Sequence, residues 1–289
     1  MFNYQKNIGC RTDIPDLLAL GINAVYLEGL HFKESHVECM QYFQDAGIYV
    51  LVSLATYDDS YFPIALFVGS DGTASGLGLP APSWNGDIWD AYTALIDQFA
   101  SFSNLLGFII GESYNMEFGF VGFADGLPFA KAATRDMKAY MTARGYRKIP
   151  IGFLGEDTTM DVDLGASYLN CGNISESVDF WAVDTLGRWC GGPSSTTNLT
   201  TTYGNFGIPV LLGLYGCFST PTDDLTEVGV LYGSKMATIF SGGFYSTWYG
   251  MFEQSPASNI PNCRVLKLLK EYSSTTPMRQ IIATKKLSI

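Results

Sequence analysis

The sequence predicts a single-domain α/β protein that closes into a (β/α)8 TIM barrel. Short apolar segments of the kind found in buried parallel strands alternate with amphipathic segments typical of helices. The length of 289 residues suits one such barrel, which takes about 250 residues or more. No Gly-x-Gly-x-x-Gly motif follows the first strand, which disfavours an open dinucleotide-binding sheet. With neither an internal repeat nor a linker, residues 1–289 are expected to form one domain.

The alternation predicts the individual elements in order. Strands are expected at residues 24–27, 48–54, 105–110, 149–154, 180–183, 208–212 and 244–249. Helices are expected at residues 13–20, 35–44, 87–102, 129–144 and 226–240, with Ser35 as the N-cap of the second. The loop over residues 57–84 is rich in Gly, Ser and Pro and is long enough to be functional.

Charge and composition exclude several kinds of partner. The net charge of −11 disfavours nucleic acids and anionic membranes, because both require clustered Lys and Arg. No apolar run reaches the ~20 residues that cross a bilayer. His31 and His36 are the only histidines, and no cysteine or acid spacing completes a metal site with them. A surface or capping role is therefore expected for both histidines, with no metal and no cofactor.

The cysteines and two sequons indicate an oxidising compartment. There are six cysteines, an even number, and none forms a CxxC pair. Asn173 and Asn198 each begin an Asn-x-Ser/Thr sequon within a Gly/Ser/Thr-rich stretch, and both are candidate glycosylation sites. The first ten residues lack the apolar segment of a secretory signal. We therefore expect a mature secreted domain whose signal has been removed.

Several motifs, in order along the chain, resemble the fungal cell-wall β-1,3-glucanosyltransferases of glycoside hydrolase family 72. The resemblance covers about residues 4–263, and it is carried by Glu38–Val50, Asn104–Phe108, Ala130–Tyr140, Gly145–Pro150, Asn170-Cys-Gly, Trp189-Cys-Gly, Tyr215-Gly-Cys217 and Ser241-Gly-Gly243. It implies a TIM barrel that cuts a β-1,3-glucan and transfers the new end to another chain. It is a stronger guide to fold than to activity.

The resemblance also implies a disulfide framework. It pairs Cys10 with Cys39, Cys171 with Cys263, and Cys190 with Cys217, whereas the residues alone leave every pairing open. No cysteine-rich glucan-binding module is expected after Cys263.

Both catalytic carboxylate positions of the family differ in this chain. A retaining glycosidase or transglycosylase needs an acid/base and a nucleophilic carboxylate about 5 Å apart. Without a gap, Ser113 occupies the acid/base position and its neighbour Glu112 occupies the preceding Asn position. A one-residue slide would restore Glu112 but would turn the strand's side chains to the opposite face. Leu214 occupies the nucleophile position before Tyr215-Gly-Cys217, and no nearby carboxylate replaces it.

Five further positions of the implied cleft also differ from the family pattern, and the first is Tyr26, which stands where the family has Arg. Glu28 and Ser53 stand where the family has Tyr and Asp, and Gly187 and Trp248 each stand where it has Tyr. Together with the two catalytic positions, these changes predict that glucanosyl transfer has been lost.

Three functions remain open on this evidence. The first is a secreted, non-catalytic homologue at the cell wall or cell surface that binds β-1,3-glucan or another carbohydrate through aromatic side chains. The second is an enzyme with a rebuilt site that uses Glu28 and Glu112. The third is a structural or interaction protein whose cleft is filled, with Leu214 and Trp248 contributing to the filling.

Overall fold

The computed structural model describes residues 8–57, 63–64, 84–112, 123–158, 160–217 and 226–246. The helices are α1 (Ile8–Ala19), α2 (Val37–Asp45), α3 (Gly86–Phe99), α4 (Phe123–Ala143), α5 (Ser167–Asn170), α6 (Pro193–Tyr203) and α7 (Thr226–Leu231), with a π-helical segment at Met160–Ala166. The strands are β1 (Ala24–Leu27), β2 (Tyr49–Ser53), β3 (Thr56–Tyr57), β4 (Pro63–Ile64), β5 (Leu105–Glu112), β6 (Ile151–Glu156), β7 (Phe180–Asp184), β8 (Val210–Tyr215) and β9 (Phe240–Tyr245).

The strand order confirms the predicted alternation of strands and helices. Seven strands follow the order β1-β2-β5-β6-β7-β8-β9, and β3 and β4 form a separate antiparallel pair. The pairs β1/β2, β2/β5, β5/β6 and β8/β9 are parallel. A helix lies between the members of each pair in the chain: α2, α3, α4 and α7, respectively. Parallel neighbours require such crossover connections.

The chain divides into two compact units, which are described separately below. One contains Met1–Ile14 and Ala24–Ala182, and the other contains Pro15–Asn23 and Val183–Ile289.

Glycines allow large aromatic side chains to pack against β6 in the first unit. A Cβ atom on Gly152 would lie 2.3 Å from the ring of Phe180, and one on Gly155 would lie 2.1 Å from the indole of Trp181. Trp181 is fully buried and stacks on Phe153 with a centroid distance of 5.3 Å. Any larger residue at either glycine would displace an aromatic ring from the core.

The segment before α2 differs from the sequence prediction. The helix begins at Val37, and His36 rather than Ser35 occupies the N-cap position, without a capping hydrogen bond from its side chain. His31 and His36 are buried rather than exposed, and His36 Nε2 lies 3.0 Å from the carbonyl oxygen of His31. The reason is tertiary, because Gln98 on α3 accepts the backbone N–H of His36 at 3.1 Å. Burial lowers the pKa of His36.

Two predicted elements near the end of the described chain have different bounds. The helix expected over residues 226–240 ends at Leu231. The strand expected at residues 244–249 is β9, which begins earlier, at Phe240.

Two of the three expected disulfide bonds are present in the described residues. Cys10–Cys39 joins α1 to α2 with a Cα–Cα distance of 5.6 Å. Cys190–Cys217 joins the segments that follow β7 and β8, with a Cα–Cα distance of 5.1 Å. The third expected partner pair includes Cys263, which lies outside the described residues.

Thiol titration tests the full disulfide framework. The denatured, unreduced protein should contain no free thiol, because all six cysteines are expected to be paired. Replacing both Cys190 and Cys217 with alanine should lower the free energy of unfolding by about 3–4 kcal/mol, since the bond closes a loop with a sequence separation of 27. Two reactive thiols per unreduced chain would contradict the Cys171–Cys263 pairing.

Candidate functional site

Side chains from three neighbouring strands meet at Glu112 in the first unit. Glu112 is the last residue of β5 and is half-buried. The hydroxyl of Tyr26 on β1 donates to Glu112 Oε1 at 2.6 Å. The hydroxyl of Ser53, the buried last residue of β2, donates to the same oxygen at 2.6 Å. One carboxylate oxygen therefore holds two short hydrogen bonds, a geometry typical of a charged acceptor.

The predicted cleft residues Ser53 and Glu112 are thus in contact. They belong to adjacent parallel strands, in which Ser53 pairs with Ile109. Tyr26, the other donor to Glu112, stands where the family pattern has Arg, and its contact with Glu112 was not predicted from the sequence.

Glu28 directly follows β1 and is exposed. Its negative charge nevertheless acts on Tyr26. Burial raises the pKa of Tyr26 well above its ordinary value, and the charges of Glu112 and Glu28 raise it further. The Tyr26 hydroxyl therefore keeps its proton at neutral pH and donates it in the hydrogen bond to Glu112.

Leu214 and Gly187 lie in the second unit. Leu214 is half-buried on β8, and its carbonyl oxygen accepts the backbone N–H of Thr185 at 2.9 Å and the Thr185 hydroxyl at 3.3 Å. Gly187 has a φ of 70°, and its N–H donates to the carbonyl of Gly216 at 2.8 Å. A tyrosine at position 187 would be strained in this left-handed conformation.

Aromatic side chains pack around Tyr215 of the Tyr-Gly-Cys segment. Tyr215 is buried, with ring centroids of Trp189 at 6.0 Å and Tyr245 at 5.4 Å. Burial, followed by the nearby groups of Tyr232 and Glu227, raises the pKa of Tyr215 well above its ordinary value. Tyr215 is therefore a core residue in the structure.

Two further acidic residues lie at strand ends, Glu156 in the first unit and Asp184 in the second. Asp184 is buried at the end of β7, and its Oδ1 accepts the backbone N–H of Leu186 at 2.8 Å. Glu156 is buried at the end of β6. No group of three His, Cys, Asp or Glu residues that could hold a metal ion occurs within the described part of the chain. Ser113 and Trp248 lie outside the described residues.

The Tyr26–Glu112 hydrogen bond can be tested by a matched pair of variants. Tyr26→Phe should lower the free energy of unfolding by about 1–2 kcal/mol, because a half-buried carboxylate loses a donor. In Tyr42→Phe, the lost bond to Glu38 is also 2.6 Å long but is exposed to solvent, so stability should not change measurably. Urea denaturation measures both variants, and equal losses would contradict the assigned role of Tyr26.

Alkaline titration provides a second test of Tyr26. Because its pKa is raised in the folded protein, its contribution to stability is complete below the ordinary tyrosine pKa of about 10 and is lost as pH rises through the raised value. The unsubstituted protein should therefore lose stability more steeply than Tyr26→Phe as pH rises above about 10. Parallel pH dependences of the urea midpoint would show that Tyr26 is not linked to folding.

Comparisons with known proteins identify the family. A family model described as glucanosyltransferase, glycoside hydrolase family 72, matches residues 4–259. Protein EPD1 of Candida maltosa is 36% identical over 239 residues, which cover 81% of this chain and 40% of that protein. The 1,3-beta-glucanosyltransferase GAS2 of Saccharomyces cerevisiae is 34% identical over 238 residues, covering 81% of this chain and 39% of that protein.

The solved structures show the same fold. Saccharomyces cerevisiae Gas2p in complex with laminaripentaose matches with a TM-score of 0.74 and 28% identity, over 92% of this chain and 58% of that one. Its complex with laminaritriose and laminaritetraose matches with a TM-score of 0.73. The predicted TIM-barrel class is confirmed. The chain spans less than half of the curated relatives named above, and it belongs to the glucanosyltransferase family, glycoside hydrolase family 72.

Proposed function

We propose that this chain is a non-catalytic member of the glucanosyltransferase family that binds β-1,3-glucan. In this proposal the protein is secreted and acts at the cell wall or cell surface. The two observed disulfide bonds support an oxidising compartment. Within the described residues, no helix has both the length and the apolar character needed to cross a membrane.

The observation that carries the proposal is the leucine at the nucleophile position. Transfer by a retaining mechanism requires a carboxylate that attacks the anomeric carbon and forms a glycosyl ester. Leu214 has no group that can attack, and residues 211–214 supply no other carboxylate. The first covalent step therefore has no nucleophile at this position.

The hydrogen bonds of Glu112 support the same proposal from the acid/base side. A general acid must present its proton to the leaving oxygen of the substrate. Glu112 Oε1 is instead an acceptor for the hydroxyl groups of Tyr26 and Ser53. Ser113, which aligns with the family's acid/base, has no acidic proton to give at neutral pH.

A neutral glucan fits the composition of the chain. Aromatic residues make up 14% of the sequence, and their flat apolar faces can stack on the C–H faces of sugar rings. The net charge of −11 neither attracts nor repels an uncharged polymer at long range, so it does not disfavour glucan binding. The related Gas2p has been solved with laminaripentaose, which makes laminari-oligosaccharides the first ligands to test.

An enzyme with a rebuilt site is the second candidate. Its supporting observation is that Glu28 and Glu112 both act on the phenol of Tyr26, which places two carboxylates around one side chain. An acid/base and nucleophile pair in a retaining enzyme would need a separation of about 5 Å. The third candidate, an interaction protein with a filled cleft, predicts neither activity nor glycan binding.

Incubation with laminari-oligosaccharides separates the enzyme from the other two candidates. Neither shorter nor longer products should form, because catalytic carboxylates act as a unit and loss of one removes most of the rate. Chromatography of the reaction mixture, with the S. cerevisiae GAS2 enzyme as positive control, measures both product classes. Transfer products that disappear in Glu112→Gln but persist in Glu38→Gln would establish the rebuilt enzyme instead.

Calorimetry with the same oligosaccharides separates the binding protein from the filled-cleft protein. Trp248→Ala should weaken binding by about 1–3 kcal/mol, the scale of one large apolar side chain. Ser113→Ala should change it little. Affinity should be nearly independent of salt, because a neutral glucan releases no counterions.

The control for Trp248→Ala is an aromatic residue that is exposed at the opposite end of a strand. Tyr49 is 46% exposed at the first position of β2, the end opposite to Ser53. Sugar sites of TIM barrels lie at the carboxyl ends of the strands, so Tyr49→Ala should leave affinity unchanged. If no oligosaccharide in a broad glycan panel binds at millimolar concentration, the filled-cleft interaction protein replaces this proposal.

A further inference from the structure

A strip of aromatic side chains lies along helices α3 and α4 of the first unit. Its members, called the outer aromatic strip below, are Trp84, Trp89, Tyr140 and Tyr146. Each of the four is half-buried, so part of its surface is accessible to solvent. The ring centroids of Trp84 and Trp89 are 6.0 Å apart, and those of Trp89 and Tyr140 are 5.8 Å apart. The two helices are therefore joined by rings at their surface.

An exposed carboxylate holds the two tyrosines of the strip in place. Asp97 in α3 accepts the hydroxyl of Tyr140 at 2.9 Å and that of Tyr146 at 2.8 Å. Arg144 Nη2 donates to the same carboxylate at 3.1 Å. The guanidinium carbon of Arg144 lies 5.9 Å from the ring centroid of Tyr140 and 5.7 Å from that of Tyr146. Both phenol rings are thus ordered by the same ion pair.

A second ion pair holds the indole at the other end of the strip. Trp84 Nε1 donates to Asp136 Oδ2 at 2.9 Å, and Arg135 Nε donates to Asp136 Oδ1 at 2.7 Å. Each aspartate of this network is therefore paired with an arginine. The charges within the network cancel, although the whole chain carries a net charge of −11.

The direction of the helices gives the strip its length. Both α3 and α4 connect parallel strands, so they run antiparallel to those strands and begin on the side of the strand carboxyl ends. Trp84 and Trp89 lie near the beginning of α3, whereas Tyr146 follows the end of α4. The eight residues from Trp89 to Asp97 alone rise about 12 Å along the helix axis. The strip therefore extends from the side of Glu112 toward the opposite ends of the strands, and more than one sugar ring fits along it.

Stability alone does not account for this degree of order at the surface. Arg144 is 51% exposed and Asp97 is 36% exposed, and ion pairs this accessible contribute little to folding. Holding their side chains in one geometry also costs conformational entropy. Side chains that are ordered before a ligand arrives lower the entropy cost of binding it, and Tyr and Trp offer a large contact area with few rotatable bonds. The strip has the properties of a preorganised binding surface.

We propose that the outer aromatic strip binds a segment of a β-1,3-glucan polymer, outside the cleft. The ring faces would stack on the C–H faces of the sugars, and the exposed edges of Asp97 and Arg144 would accept and donate hydrogen bonds to sugar hydroxyls. A network whose charges cancel offers no electrostatic complementarity to a charged partner and suits an uncharged polymer. The choice of β-1,3-glucan rests on the proposed function, whereas binding at the strip does not require an occupied cleft.

Depletion of the protein from solution by insoluble β-1,3-glucan particles tests the proposal. Trp89→Ala and Tyr146→Ala should each raise the dissociation constant about tenfold, because each removes a large stacking face. Tyr42→Ala is the matched control: Tyr42 also donates to a carboxylate, that of Glu38 at 2.6 Å, and has Arg11 at 5.9 Å from its ring centroid, but it lies on α2. This control should change the dissociation constant by less than about twofold.

Further variants separate binding from folding and the strip from the cleft. Tyr146 lies beyond the end of α4, so its removal spares the helix, and Tyr146→Ala should keep the urea midpoint of the unsubstituted protein. Tyr140→Phe keeps its ring and should bind within about threefold of the unsubstituted protein. In Trp248→Ala, a further Trp89→Ala substitution should still weaken binding to the particles.

Three results would overturn the proposal: no binding to the particles, equal binding by all variants, or a loss in Trp89→Ala without one in Tyr146→Ala. Failure of short laminari-oligosaccharides to bind in calorimetry, with strip-dependent binding to the particles retained, would instead contradict only the cleft.

Discussion

The register of β5 determines which side chains the first unit brings together at the carboxyl ends of its strands. Because side chains alternate between faces, a shift of one residue would turn Glu112 away from Tyr26 and Ser53. Parallel pairing with β2 and β6 holds this register. Gly107 adds a steric constraint, since a Cβ there would lie 2.8 Å from the carbonyl oxygen of Pro150. The hydrogen bonds around Glu112 depend on this close backbone approach.

The surroundings of Glu112 give this carboxylate a structural role in the first unit. Tyr26 and Ser53 are neutral donors, and both bonds end on Oε1. Loss of the carboxylate would leave both hydroxyl groups without this acceptor in a half-buried site, which costs free energy. The cluster therefore uses the negative charge of Glu112 to hold three strands together. Glucan binding through aromatic faces requires no change in that charge.

The sequence predicted the strands better than the contacts between them. The apolar run at Ala24–Leu27 predicted the bounds of β1 correctly, although three of its four residues are only half-buried. The Ser- and Thr-rich α6 was missed, since its composition resembles a loop. Tyr26 and Glu112 are separated by 86 residues, and no periodicity links them. The burial of His36 likewise depends on Gln98, a tertiary partner that local patterns do not reveal.

In the second unit, the observed contacts at position 214 do not depend on its side chain. The hydrogen bonds at Leu214 involve its backbone, because its carbonyl oxygen accepts two hydrogen bonds from Thr185. The Cys190–Cys217 bond holds the segments after β7 and β8 together, whichever side chain stands at position 214. A leucine at this position carries no charge that would have to be solvated or paired. It also leaves these backbone contacts and the disulfide bond intact. Under the proposed function, selection on stability would not have opposed replacement of a nucleophile at position 214, and only selection on transfer activity would have preserved it.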